Sequence, residues 1–164
     1  MLNPYRCGST AIALLLVLTA SLPGQERRPV VALTGGLGNV LGGLGAGVEY
    51  YLARSRVSAA VGMGYWPAES LCDQGTLAGA AAMRGFIGGR HRGFLEVSYS
   101  LLQISCPLVG DDLDRHYGPG LSVGYRYTGS DGFTFTAAGG VGDVPDDFGT
   151  EVILLLGLGY SWQR

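Results

Sequence analysis

The chain has no lysine: all 11 of its Lys and Arg positions are arginine, set against 13 acidic residues for a formal net charge of −2. No surplus of positive charge is left to form a face for a polyanion, so nucleic-acid binding is set aside. Charge of either sign is scarce, at 15% of residues. Histidine occurs twice, His91 and His116, far apart in sequence, and cysteine three times. That is a poor supply for a closed tetrahedral zinc site, which needs about four ligands, so neither a metal nor another cofactor is implied. A long apolar run is missing as well. The stretch Ala11 to Leu18 falls well short of the ~20 residues of a spanning helix before Pro23, Glu26, Arg27 and Arg28 interrupt it.

Glycine and apolar residues are what the chain has in quantity. Its 164 residues fit one domain, and 29 of them are glycine in a chain that is 47% hydrophobic, a composition at odds with long helices and with disorder. The opening segment, with Arg6, the apolar run and then small and turn-forming residues from Thr19 to Gly24, has the layout of a secretory signal peptide. Residues 1–24 are read as that peptide, cleaved between 20 and 24, and residues 25–164 as the folded domain. Cys7 leaves with the peptide. Cys72 and Cys106 remain, an even pair in an oxidising compartment, and a disulfide between them is expected. Unstrained, it would contribute roughly 3 to 4 kcal/mol.

From Pro29 onward apolar runs of strand length alternate with turn-forming clusters, which predicts an all-β fold. Eight runs are expected: Pro29 to Gly38, Gly42 to Ala53, Arg56 to Trp66, Thr76 to Gly88, Phe94 to Gln103, Gly118 to Thr128, Phe133 to Gly142 and Glu151 to Trp162. Alternate side chains on a strand point to opposite faces, so parity separates the two sides. One parity is uncharged and greasy: Leu44, Val48 and Tyr50; Val61, Met63 and Tyr65; Leu95, Val97, Tyr99 and Leu101; Leu121, Val123 and Tyr125; Leu154, Leu156 and Leu158. The other is small and polar, with Glu49, Arg84, Glu96 and Arg126 as isolated ions well inside the runs.

Soluble barrels also alternate, but a solvated face of this size would carry many more charges than four. The pattern therefore points to an eight-stranded antiparallel up-and-down transmembrane β-barrel, apolar side to lipid and small polar side to a narrow lumen. Connection lengths agree. Those after the second, fourth and sixth runs are tight and those after the third, fifth and seventh are long, although the first, Asn39 to Leu41, is short on the long side. Tyr50, Tyr125, Tyr127, Phe133, Tyr160 and Trp162 gather toward the tight-turn ends, and Tyr65, Trp66 and Tyr117 toward the other, as two interfacial girdles would.

In this layout, with its closing strand EVILLLGLGYSWQR, the chain from Pro29 to Arg164 resembles the small eight-stranded outer-membrane barrels, similar to the barrel domain of outer membrane protein A and to outer membrane protein X. The resemblance implies export through the periplasm, contact with outer-membrane lipid and lipopolysaccharide, handling by the outer-membrane assembly machinery, and a monomer. It carries no diagnostic short motif, and Gln163 and Arg164 follow the aromatic residue at which such chains commonly end.

Charges in a low-dielectric lumen are costly unless paired, so Glu49, Arg84, Glu96 and Arg126 are read as a salt-bridged plug. An acidic rim is expected on the long connections: Glu69, Asp73, Asp111, Asp112, Asp114, Asp143, Asp146 and Asp147. The opposite rim carries Arg54, Arg56, Arg90, His91 and Arg92. The carboxylates read as a solvated surface rather than a calcium loop, which has a different length and glycine spacing. His91 and His116 have no serine beside them in sequence, so no catalytic residues are assigned. The expected function is a structural or surface-interaction barrel. Its alternatives are a narrow gated pore and a soluble, lipocalin-like carrier, since eight strands leave room for packed side chains or one small ligand.

Overall fold

The computed structural model describes residues 29–52, 56–67, 75–105, 114–144 and 149–163. Eight strands, β1 (Pro29–Gly38), β2 (Gly43–Leu52), β3 (Val57–Trp66), β4 (Thr76–Gly88), β5 (His91–Ser105), β6 (Asp114–Thr128), β7 (Phe133–Val144) and β8 (Gly149–Gln163), pair antiparallel in sequence order. β1 also pairs with β8, through Leu33↔Tyr160 and Leu37↔Leu156, and the sheet closes into a barrel with no free edge.

The strands form where apolar and small residues alternate without interruption, and they end at glycines or polar clusters that suit turns. Gly132, at φ +96°, turns the chain from β6 into β7, and its N–H closes onto Gly129 O at 3.1 Å. The register keeps like faces together: Leu44↔Tyr65, Val48↔Val61, Met83↔Val97, Val97↔Leu121 and Val141↔Val152 all lie outside. Glu49↔Ala60, Arg84↔Glu96 and Arg126↔Thr136 all lie inside.

Three departures from the sequence expectation bear on the lumen and the loop end. β5 and β6 are longer at the loop end, reaching Ser105 and starting at Asp114, and their pairing continues through Ile104↔Arg115 to Ser105↔Asp114. Polar residues there had read as loop, but they retain ladder partners. A register shift between Leu101 and Gln103 accompanies the extension. Leu101, assigned by parity to the greasy outer face, is instead fully buried, in a cluster with Ala78 and Ile104 against Trp66 and Tyr117. A bulge of this kind breaks the strict two-residue period on which the parity assignment rests.

The third difference is at Asn39–Leu41. This connection is one turn of 3-10 helix, and all three residues are buried. Rather than projecting from the rim, it packs into the barrel with Val40 against Ala60 and Ala82. Gly42 ends the turn in the left-handed region, φ 71° and ψ 33°, and its N–H donates to Asn39 O at 3.0 Å.

Candidate functional site

Among the described residues, buried polar and charged side chains converge in the lumen, which is built in layers. In the half nearer the short turns, β2, β4, β5 and β6 contribute Glu49, Arg84, Glu96 and Arg126 to the inner face. Arg84 lies between two carboxylates: its Nη1 is 2.8 Å from Glu49 Oε2 and its Nε 2.5 Å from Glu96 Oε2. Arg126 Nη1 reaches the same Glu49 oxygen at 2.5 Å. Glu49 is thus shared by two arginines, and the chain Glu96, Arg84, Glu49, Arg126 alternates in sign and sums to zero. The four ions predicted to pair are the four the fold brings together.

All four are almost completely withdrawn from solvent, with Glu96 and Arg126 at 0% exposure. Removing ions from water costs several kcal/mol each, so pairing alone is a weak recompense and the remaining donors and acceptors must also be satisfied. Neighbouring strands supply several of them, although Arg126 Nη2 has no hydrogen-bond partner among the described residues. Ser122 Oγ donates to Glu96 Oε1 at 2.8 Å and Arg126 Nε donates to Thr136 Oγ1 at 2.9 Å. Ser58 donates to Glu49, and Arg126 also donates to the Tyr51 hydroxyl. The small polar residues of the inner parity act as the second ring of partners that a buried network requires.

Toward the short turns the lumen is filled by Tyr51, Phe86 and Phe94, with ring centroids 5.7 Å and 5.6 Å apart in sequence along the stack. Phe86 and Phe94 are direct cross-strand partners. Three guanidinium groups lie over these rings: Arg84 over Phe94 at 5.4 Å, Arg126 over Phe86 at 5.4 Å and Arg92 over Phe86 at 5.9 Å. Arg92 had been placed on the basic rim. It lies in β5, is buried, and donates from Nε to Gly89 O at 2.6 Å, so that rim assignment is corrected. The inward aromatics were not singled out from sequence, although Phe86 shares its parity with Arg84, and Phe94 with Glu96.

Toward the longer connections the Asn39–Leu41 turn shares the lumen with the buried side chains of Leu102, Val144 and Ile153. Asn39 spans it, donating from Nδ2 to Leu101 O at 3.3 Å and accepting at Oδ1 from Leu154 N at 3.2 Å. The wall facing the turn has no room for side chains. A Cβ on Gly62 would meet Val40 O at 2.2 Å, and one on Gly45 would meet Leu41 O at 2.2 Å. Between the turn and the ions lies a cavity of about 10 Å³, room for one water, lined by Thr34, Val40, Leu41, Glu49, Arg84 and Arg126 among others.

Of the acidic rim, Asp114 and Asp143 sit exposed at strand ends on the loop side. Glu69, Asp73, Asp111, Asp112, Asp146 and Asp147 lie outside the described residues, as do Arg54 and both Cys72 and Cys106. Tyr50, Tyr65, Tyr125, Phe133, Tyr160 and Trp162 point outward and are exposed, and Tyr127 is half-buried under the His91 ring, 5.1 Å between centroids. His91 Nδ1 is hydrogen-bonded to the Tyr125 hydroxyl. His116, which has no serine near it in sequence, has one in space: Ser105 Oγ lies 2.8 Å from its Nε2 across the β5–β6 ladder. The extension of β5 and β6 creates this contact, and their expected ends concealed it. Comparison with known families, with curated proteins and with solved structures finds no match.

Proposed function

We propose that the chain is an integral outer-membrane β-barrel with a closed lumen, serving a structural or surface-interaction role. The observation that carries this reading is the inversion of the two faces. The outside presents large apolar side chains, with Leu121 at 50% and Val123 at 65% exposure, while the ions are inside. Between the rim residues His91 and Arg56 at one end and Arg115 and Asp143 at the other, the outward-pointing positions of the described strands carry no charge. A continuous apolar surface of that extent is costly in water and matches the hydrocarbon of a bilayer.

The signal-peptide layout of residues 1–24 supports export, and the outward tyrosines, Phe133 and Trp162 suit the two interfaces. In this placement the short turns face the periplasm and the longer connections, with their acidic residues, face the exterior, where lipopolysaccharide is the nearest partner. In layout the barrel is similar to the small outer-membrane barrels named above. Closure of the strand ring leaves no open sheet edge, which is what makes a sheet tolerable in hydrocarbon.

The test is fractionation of expressing cells, followed by electrophoresis of boiled and unboiled samples in mild detergent. Recovery in the outer membrane with a mobility shift on boiling is expected. Recovery as a detergent-independent periplasmic protein would overturn the reading in favour of a soluble carrier, and steady conductance of the unmodified protein in planar bilayers would replace the closed barrel with a narrow pore.

A further inference from the structure

We propose that the paired ends of β5 and β6 carry a nucleophilic site, Ser105 activated by His116, that hydrolyses neutral, short-chain carboxylic esters offered from the aqueous side. The inference goes beyond the structural reading above and does not rest on it, because none of the residues concerned belongs to the apolar outward belt.

The site is made by register. β4 pairs with β5 as far as Ser100 and β7 pairs with β6 from Gly120, so from Leu101↔Tyr117 outward the two strands pair only with each other. Two successive cross-strand pairs follow, Gln103↔His116 and Ser105↔Asp114. The members are two residues apart on each strand, so all four side chains share one face of the ladder. On β6, which runs without a bulge, that face continues through Gly118 and Gly120, the inner parity. The group therefore stands over the lumen mouth. Within it Ser105 Oγ lies 2.8 Å from His116 Nε2, hydrogen-bond reach for a hydroxyl and the base that takes its proton. Both residues are half-buried, which leaves the pair open to a reactant.

The other two members suit the same chemistry. Gln103 Oε1 is buried and has no hydrogen-bond partner among the described residues, so the amide is not tied into the ladder and its Nε2 can donate to an oxygen that gains charge beside Ser105. In the tautomer with its proton on Nδ1, His116 Nε2 takes the Ser105 hydroxyl proton as Oγ attacks the ester carbonyl carbon. The bond from that carbon to the alkoxy oxygen then breaks, and the leaving alcohol takes the proton from Nε2. Water attacks the acyl-serine and gives a proton to Nε2, the acid departs, and Ser105 Oγ recovers the proton. The sum is ester plus water to acid plus alcohol.

The surroundings set the substrate class. Asp114, exposed and directly opposite Ser105, places a negative charge on the same face and disfavours anionic esters. Beneath the pair the floor is closed. Leu102 packs with Val144 and Ile153, and a Cβ on Gly118 would lie 2.8 Å from Leu102 Cδ1, so a long acyl chain has no channel to enter.

The test uses the purified full chain in detergent micelles, with the fold of each variant checked by circular dichroism. A fluorophosphonate, which reacts with activated serines, is expected to modify Ser105, as mapped by peptide mass spectrometry, and His116→Gln to slow that modification by about 100-fold. Hydrolysis of p-nitrophenyl acetate should be lost in Ser105→Ala. Gln103→Leu should lower kcat by about 100-fold with KM unchanged, a split that a merely structural role at a strand end does not produce. The palmitate ester should turn over at least about 10-fold more slowly than the acetate. Folded, unsubstituted protein whose Ser105 stays unmodified would overturn the proposal. So would modification at an equal rate in His116→Gln, or acetate hydrolysis undiminished in Ser105→Ala. Equal turnover of palmitate and acetate would overturn the assigned substrate class.

Discussion

Toward the short turns the lumen is packed by side chains alone, Tyr51, Phe86, Phe94 and the four ions, whereas toward the longer connections a piece of main chain, the Asn39–Leu41 turn, is seated against glycines beside the buried Leu102, Val144 and Ile153. Both halves satisfy the same requirement, an interior with few voids, but they differ in what a substitution does to them. In the first half each residue fills space with its own atoms, so truncation leaves a hole or an unpaired charge. In the second half the wall residues contribute by having no atoms to spare, and enlargement is what does harm.

The largest effect is expected where one atom serves two partners. Glu49→Ala leaves Arg84 without one of its two carboxylates and Arg126 with none, and a loss of about 3–5 kcal/mol should appear in reversible unfolding by urea. An effect under ~1 kcal/mol would mean that water enters the lumen and solvates the arginines, erasing the contrast between the halves. Next comes the outer face, which stands apart from both. Val97 is exposed, and the proposed membrane placement predicts that Val97→Arg costs about 2–4 kcal/mol in lipid, the range for a charge near the bilayer midplane. The same substitution on a solvated surface would change stability by within about 0.5 kcal/mol, so one variant separates the two environments.

A smaller effect, about 1–3 kcal/mol, is expected for Gly62→Ala, because the added methyl meets Val40 O and the turn has to shift. The matching control is Gly85→Ala or Gly139→Ala, where a Cβ meets nothing within 4 Å. These should be neutral to within about 0.5 kcal/mol, measured by the same urea titration. Equal costs at Gly62 and Gly139 would place the turn outside the lumen.

How much of this was legible in the sequence follows the same division. The strand ring and the ion cluster were readable because both depend on a period of two: Glu49, Arg84, Glu96 and Arg126 interrupt an otherwise small-residue parity, and a charge on that parity has only the lumen to face. Arg92, Phe86 and Phe94 obey the same rule and could have been found by it. Arg92 was missed because the fifth run, as read from the sequence, begins at Phe94 and leaves Arg92 in the turn. The bulge at Leu101 and the ladder as far as Ser105 and Asp114 were not readable, since polar residues can be paired at a strand end as well as in a loop.

The inward turn was the hardest case. Asn39-Val40-Leu41 between glycines is compatible with a loop that points either way, and its direction is decided by the facing wall, Gly45, Gly62 and Gly64, which lies on two other strands. The one available signal was the pairing of glycines on the inner parity of adjacent strands, Gly45↔Gly64 and Gly47↔Gly62, an emptiness that something had to fill.

The hydrogen bonds between β1 and β8 carry a kinetic consequence. Seven of the eight strand pairs join neighbours in sequence and close short loops, but the eighth joins Leu33 to Tyr160 and Gly35 to Leu158 across nearly the whole described chain. That contact has the highest entropic cost of closure, and until it forms both outer strands present unpaired edges to any passing chain. The rate of assembly should therefore be governed by this single seam, which makes the meeting of β1 with β8 the step that decides between a finished barrel and an aggregate.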